Sequence, residues 1–407
     1  MTLLRCGAVL AVVCLWQTAA GAQSVTLTLD EALARAREQA PGVLVGRARI
    51  EEARGRVVGA RIRHRDNPTI DASTGPRSTE AGTLMDFDIG VSQVFETGGQ
   101  RAARMAGAEA AVSREQAATA EAMRLALRDV GVAFLRLQHA QDRRALLDGA
   151  EGVAIDVVKV ANRRYAAGDI AILDVNVART AQARARAARM AAEADRIEAA
   201  GLLQRLLGLE RSVLPIAGGS LGLERRSDLP ALVAGVENRP DLQALRAEIA
   251  DAQADAQLGR AMGRPDLGVG ARYKHEEGHR AILGEVTLTL PVFARGQELQ
   301  ATGSARASRL RLQLDAAHAA AVSEVESAYA AYETRRAAVA AFEQDALAGL
   351  DENERLAQRS FDVGQISLPE LLSIRRELVE TRLEYLDRLL DASEAAIAQE
   401  AIAGVLR

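Results

Sequence analysis

His275-Glu276-Glu277-Gly278-His279 is the stretch of this chain whose residue types and spacing most openly suggest chemistry. It fits H-E-x-x-H, in which two histidines one helical turn apart hold zinc and the glutamate serves as general base. That chemistry needs both histidines on one face of a buried helix. Here the motif joins two stretches of alternating apolar and polar residues. It contains Gly278 and is flanked by Lys274 and Arg280, with no apolar helix face beside it. The expectation is a solvated loop. His64, His139 and His318 are scattered and form no ligand set, so neither a metal site nor a catalytic centre is expected. Gly98-Gly99 opens a helical stretch as a phosphate cradle would. It lacks the Lys-Ser/Thr of a P-loop and a preceding parallel strand unit, and reads as a strand–helix joint. No cofactor is expected.

Two acids, Asp174 and Glu370, carry a different signal. Each stands six residues after a glycine, Gly168 or Gly364, inside a shared frame: Tyr165 to Val175 and Phe361 to Leu371. Each frame interrupts a long alanine-rich helical pattern. Gly permits the positive φ that ends one helix, and the acid sits in the first turn of the next, where it complements the helix dipole. Both frames therefore read as tips of helical hairpins. Pro41/Pro240, Pro68/Pro265, Phe95/Phe293, Gly168/Gly364 and Asp174/Glu370 are separated by 196 to 199 residues, which makes the chain a tandem repeat.

Composition fits long helices packed through small side chains: 48% hydrophobic, only 3% aromatic,. A net charge of −4 suggests no nucleic-acid partner,. Residues 1–22 read as a signal peptide, with Arg5, an apolar run from Gly7 to Trp16, and Ala20-Gly21-Ala22 as cleavage site. Both cysteines, Cys6 and Cys14, fall in it, so the mature chain is expected to hold no disulfide or thiolate.

The first repeat, 23–207, starts with a helix capped at Thr28 or Asp30 that runs through Pro41 to about Arg65. A β-hairpin follows at about 68–95, in which Met85, Phe87, Ile89 and Val91 alternate with Asp86, Asp88, Gly90 and Ser92. A helical hairpin covers about 100–207 with its tip at 165–175. Met123, Leu127, Val130, Phe134 and Leu137 form a coiled-coil seam in it, and Gly149 and Gly152 are local weak points. Residues 208–228 are a Pro- and Gly-containing linker. The second repeat, 229–407, has a β-hairpin at about 265–293, where Ile282, Gly284, Val286, Leu288 and Leu290 alternate with Leu283, Glu285, Thr287 and Thr289. Its helical hairpin covers about 297–402, with the tip at 361–371 and a seam at Val379, Leu383, Leu386 and Leu390. The fold class is mainly α with a small β part: helix–β-hairpin–long helix–turn–helix, twice.

Two β-hairpins in a secreted helical chain have edges and an apolar face with nothing to cover them. Strands of about ten residues suit a tilted bilayer crossing, and the alternation is that of a transmembrane barrel. Four strands cannot close one, so several chains must share it, and the helical hairpins would extend it as a tube.

The doubled layout, both turn motifs, and the joints Gln93 to Gln100 and Leu290 to Gln297 together resemble the TolC-type outer-membrane efflux proteins over nearly all of the mature chain. The resemblance implies a homotrimer with a shared twelve-stranded transmembrane β-barrel continuing into a long periplasmic α-helical barrel. It implies a passive exit duct, not an enzyme, in the outer membrane of a Gram-negative cell. The partners would be a periplasmic adaptor and an inner-membrane pump of a tripartite RND-type system. Gly168, Ile170, Gly364 and Ile366 would be the adaptor-contacting tips. Asp174 and Glu370 would form an acidic constriction, or else cap their helices. Phe87, Ile89 and Val91, with Val286 and Leu288, would face lipid, and Asp86, Asp88, Glu285 and Thr287 the lumen. One departure matters: Ile366 and Ser373 stand where the family pattern has a basic and an acidic residue, so a salt-bridged lock does not carry over. Arg375 and Arg376 are substitute partners to check.

The short loops and the Thr97-Gly98-Gly99-Gln100-Arg101 joint look most like the CzcC/CusC-type heavy-metal branch. A multidrug or type I secretion duct of the same family is the alternative. A periplasmic coiled-coil structural protein and a zinc hydrolase at His275 and His279 are rivals of other classes.

Overall fold

A computed structural model describes residues 23–79, 82–223, 228–276 and 279–406. The signal peptide expected over 1–22 lies outside them, as does part of the linker. The described residues open with strand β1 (Gln23–Leu27), followed by helices α1 (Leu29–Gln39) and α2 (Pro41–Arg61). Thr28 starts α1 through a capping box: its hydroxyl accepts from the Glu31 N–H at 3.2 Å, and its own N–H donates to Glu31 Oε2 at 2.8 Å,. The expected continuous helix is two. Ala40 takes extended backbone before Pro41, because a proline disfavours helical geometry in the residue before it and suits the first helical position.

Strands β2 (Thr69–Thr79) and β3 (Gly82–Phe95) form the first hairpin. Helix α3 (Gln100–Ala166) then runs unbroken for 67 residues, about 100 Å,. Gly149 and Gly152 do not interrupt it: a single glycine costs a helix only ~1 kcal/mol. Helix α4 (Ile172–Leu206) returns alongside and leads to strand β4 (Val213–Ala217). The second half follows with α5 (Leu229–Gly235), a short 3₁₀ turn, α6 (Pro240–Ala261), β5 (Asp266–Glu276), β6 (His279–Thr289), α7 (Gln297–Phe342), α8 (Leu350–Asp362) and α9 (Leu368–Ala403).

Two differences from expectation stand out. Strands β1 and β4 pair in parallel, Gln23 opposite Val213 through Leu27 opposite Ala217. And the second long helix is not continuous: a π-type segment, Glu343–Leu347, separates α7 from α8. The second half has two residues fewer between its strand–helix joint and its tip (Phe293 to Gly364 against Phe95 to Gly168). The wider turn lets the helix re-phase its apolar face before the tip.

The largest core sits where α1, β4 and the ends of α4 and α9 pack on the middle of α3. Leu33, Val130, Phe134, Leu137, Leu203, Leu207 and Ala401 are buried there. The α3 seam is thus buried as expected, with Met123 packed against it. In α9 the buried residues are instead Leu371, Leu378, Leu389 and Ala392, while Val379, Leu383, Leu386 and Leu390 are half-buried. A matching smaller core gathers Leu232, Val236, Leu242, Val325 and Ala403 in the second half.

Candidate functional site

Two regions at opposite ends of the helices carry the residues singled out from sequence. At one end, the two hairpins join into one antiparallel sheet of order β2-β3-β5-β6. Strand β3 pairs with β5 from Phe87 opposite His275 to Phe95 opposite Leu267. Directly opposed residues share a face, so the register sorts the sheet. Ile70, Met85, Phe87, Ile89, Val91, Val269, Tyr273, Ile282, Val286 and Leu288 lie on one side. Phe87, Ile89, Val91, Val286 and Leu288 are all exposed there, Val286 at 73%. Removing each such side chain from water gives about 1.5–3 kcal/mol, so a band of them left bare is not a face built for water.

The other side is charged. Arg272 on β5 donates to Asp88 on β3 at 2.5 Å and lies 3.4 Å from Glu285 on β6. Arg77 on β2 reaches Asp86 at 2.6 Å. The Arg272–Asp88 pair joins the two hairpins across the polar face, and the other two pairs tie the strands within each hairpin. Arg272 was legible as one polar residue in an alternation; its pairing with Asp88, 184 residues away, was not.

The same register disposes of the H-E-x-x-H motif. Glu276 stands opposite His279, and His275 opposite Arg280. His275 and His279 therefore project from opposite faces of a β-hairpin and cannot share a metal ion. Glu277 and Gly278 lie outside the described residues. Among the described residues, no three of His, Cys, Asp and Glu are grouped to hold a metal.

Strand and helix meet at tight joints. A Cβ on Gly98 would lie 2.3 Å from the Ala261 carbonyl oxygen, so only glycine lets the two backbones approach this closely. Thr97 donates to the Pro265 carbonyl at 2.5 Å and Gln100 to Asp266 at 2.9 Å, locking the first joint onto the start of β5. Gly98-Gly99 is thus a joint, as its sequence suggests.

At the far end, the tips lie side by side. Gly168 and Gly364 are exposed and take φ of +81° and +79°,. Ile170 and Ile366 are only half-exposed. They pack on a small core of Val157, Ala161, Val175, Phe361, Leu368 and Leu371, drawn from both hairpins. Arg164 stacks over the Phe361 ring at 4.8 Å,. Between the tips is a cleft of about 390 Å³, whose rim holds Asp156, Arg164, Asp174, Asp362 and Arg375.

Both acids make helix caps. Glu370 accepts from the Ser367 N–H at 2.7 Å and hydroxyl at 2.8 Å, and those bonds hold its carboxyl below the ordinary carboxylate range. Asp174 accepts from the Ala171 N–H at 3.3 Å and is half-buried, whereas Glu370 is exposed. Neither arginine substitutes as their partner. Arg375 donates to Gln358 on α8, and burial lowers its affinity for a proton despite Glu354 and Asp362 nearby. Arg376 lies 3.8 Å from Glu380.

Known proteins share this arrangement. Residues 32–209 and 233–405 each match the family described as outer membrane efflux protein. The chain belongs to that family. It is 27% identical, over 93% of its length and 90% of the relative's, to the cobalt-zinc-cadmium resistance protein CzcC of Cupriavidus metallidurans. Among solved structures it is similar to CusC (TM-score 0.73, 17% identity, 92% of this chain and 91% of that chain). It is also similar to the Campylobacter jejuni outer membrane channel CmeC (TM-score 0.75, 13% identity, 93% and 86%). At these identities the likeness to the structures is one of fold. This efflux protein is therefore a channel and not an enzyme, placed in the outer membrane with its helices in the periplasm. No helix among the described residues is long and apolar enough to cross a membrane.

Proposed function

We propose that three copies of this efflux protein share one twelve-stranded barrel and one helical tube, forming the passive exit duct of a tripartite RND-type system. The observation that carries this reading is the single four-stranded sheet with two open edges, β2 and β6, and an exposed apolar face. An open edge presents unpaired N–H and C=O groups, which a bilayer interior does not tolerate. Pairing β6 of one copy with β2 of the next removes every edge and turns Phe87, Ile89, Val91, Val286 and Leu288 to lipid. The face bearing Asp88, Arg272 and Glu285 then lines the water-filled lumen.

In this duct the tips at Gly168, Ile170, Gly364 and Ile366 meet a periplasmic adaptor, which joins the duct to an inner-membrane pump. Ile170 and Ile366 have a second duty, holding the two hairpins at a fixed spacing. Asp174 and Glu370 cap their helices and thereby fix their carboxylates at the narrow mouth, where three copies of each favour cations. Heavy-metal cations are the cargo, a reading that rests on the likeness to a cobalt-zinc-cadmium resistance protein.

Single-channel conductance of the purified protein in a planar bilayer tests the duct, with its mass in detergent reporting the trimer. A monomer that does not insert sinks the proposal. Sensitivity of a deletion strain to zinc, cobalt and cadmium beside a drug panel tests the cargo. Loss of drug resistance alone would assign a multidrug duct.

A further inference from the structure

The link between α2 and β2, Ile62 to Pro68, runs along the base of the apolar sheet face. Two contacts fix it there. The His64 ring meets the Phe95 ring edge-on at 5.1 Å, and the Gln93 side chain donates to the Asp66 carbonyl at 2.7 Å. By register Gln93 pairs with Val269 and Phe95 with Leu267, the same face as Phe87, Ile89 and Val91. The link therefore crosses the outward side of the sheet, not the charged side.

Its height follows from strand geometry. Ten steps from Met85 to Phe95 at ~3.4 Å, tilted ~45°, rise about 24 Å. That matches the apolar band of membrane barrels, about 25 Å. Phe95 then marks one rim of the band, and Arg63, His64 and Arg65 lie where hydrocarbon gives way to headgroups. Arg63 and Arg65 are exposed and have no ion-pair partner among the described residues. The acid of the link, Asp66, lies within the field of Arg104, which Glu96 also engages. In a chain of net charge −4, this is a local basic cluster. Ile62, half-exposed beside it, and Arg65 line a groove of about 450 Å³ between α2, α3 and α6. Its acids, Asp251 and Asp255, face Arg306 at 3.2 and 3.5 Å.

We infer that Ile62-Arg63-His64-Arg65 is a binding surface for anionic glycerophospholipid headgroups of the leaflet on the helical side, with phosphate on the two guanidinium groups and Ile62 against the acyl boundary. Guanidinium pairs phosphate bidentately, and a basic side chain at an anionic membrane surface gains appreciable attraction. This rests on the membrane-barrel reading above.

Residues 23–407 contain no tryptophan, which makes a reporter simple. Ile62→Trp in the full trimer, reconstituted into proteoliposomes, is quenched by brominated phosphatidylglycerol or by brominated phosphatidylcholine. The expected preference for phosphatidylglycerol is about fivefold. It should fall to near unity when Arg63→Gln and Arg65→Gln are added, and shrink with salt. Equal association of both lipids in the parent overturns the inference, as does a preference that survives loss of both arginines. Leu288→Trp, on the apolar band, separates the two readings. Quenched equally by both lipids, it shows an embedded barrel, so that a failure at position 62 counts against the headgroup surface alone. If neither lipid quenches it, the barrel reading fails and takes this inference with it.

Discussion

The Glu370 carboxylate accepts both hydrogen bonds that Ser367 offers, from its N–H at 2.7 Å and its hydroxyl at 2.8 Å. The matching acid, Asp174, follows Ala171, which has no hydroxyl, and accepts a single backbone N–H. Capping and charge can therefore be separated. Glu370→Gln and Asp174→Asn keep an acceptor and delete the charge. Asp174→Asn should leave thermal unfolding unchanged, Glu370→Gln should loosen only the first turn of α9, and both should reduce the cation preference of the proposed trimer in a bilayer. Ser367→Ala should do the reverse, fraying the start of α9 while selectivity holds. Unchanged selectivity in both acid variants would confine these residues to capping.

The cap also predicts a pH dependence. The Glu370 carboxyl is held below its ordinary value of 4.5 by Ser367. A depressed carboxylate contributes stability that is fully present above the unfolded value and is lost as pH falls through the folded one. Amide protection in the first turn of α9, Leu368 to Leu371, relative to the intrinsic exchange rate at each pH, should fall below about pH 4.5. Glu370→Gln should remove the step. Its persistence in that variant would assign it to another group.

Much of this architecture is legible from local pattern. Alternation at Phe87, Ile89 and Val91 and at Val286 and Leu288 identifies the apolar face of both hairpins, and the Gly168 and Gly364 frames locate both tips. What escapes is non-local. That β3 pairs with β5 depends on contacts between residues some 180 positions apart, such as Asp88 with Arg272. Strands β1 and β4 are five residues each, too short for period to register, and their parallel pairing spans the whole first half. Gly349 near the break in the second helix has the same local signal as Gly152, where no break occurs. Ile170 and Ile366 look like exposed tip residues in sequence; only the other hairpin beside them makes them part of a core.

That tip core is open to test at Leu371, which is 1% exposed and touches both hairpins' cluster. Leu371→Ala should cost about 2–5 kcal/mol of local stability and speed proteolysis between residues 157 and 175 as well as within α8 and α9. Cleavage enhanced in the second hairpin alone would mean the tips are independent.

Close backbone approach at the strand–helix joint predicts opposite signs for two glycine substitutions. A Cβ at Gly98 meets the Ala261 carbonyl at 2.3 Å, and a backbone atom cannot swing aside. Gly98→Ala should destabilise by about 1–3 kcal/mol or more and lower recovery of trimer. Gly152 lies within α3 with nothing within 4 Å of its Cβ position, so Gly152→Ala should stabilise by roughly 0.5–1 kcal/mol. Chemical denaturation of both variants beside the parent reads the difference.

The interruption at Glu343–Leu347 is held from α9. Tyr385 donates its hydroxyl proton to Glu343 Oε1 at 2.7 Å, and Arg388 lies over the Phe342 ring at 5.0 Å. Burial first, and then the Glu343 carboxylate, push the Tyr385 phenol from 10.0 up to about 12. A raised phenol contributes stability that is present below its ordinary value and is lost as pH rises through the folded one. Tyr385 should ionise late in an absorbance titration, near pH 12. Tyr385→Phe should remove that late proton and hasten amide exchange over residues 343–349, leaving the continuous helix around Gly149 and Gly152 unchanged. If exchange at 343–349 does not respond, the π-type turn is held by the helix's own re-phasing and the Tyr385 bond is incidental to it.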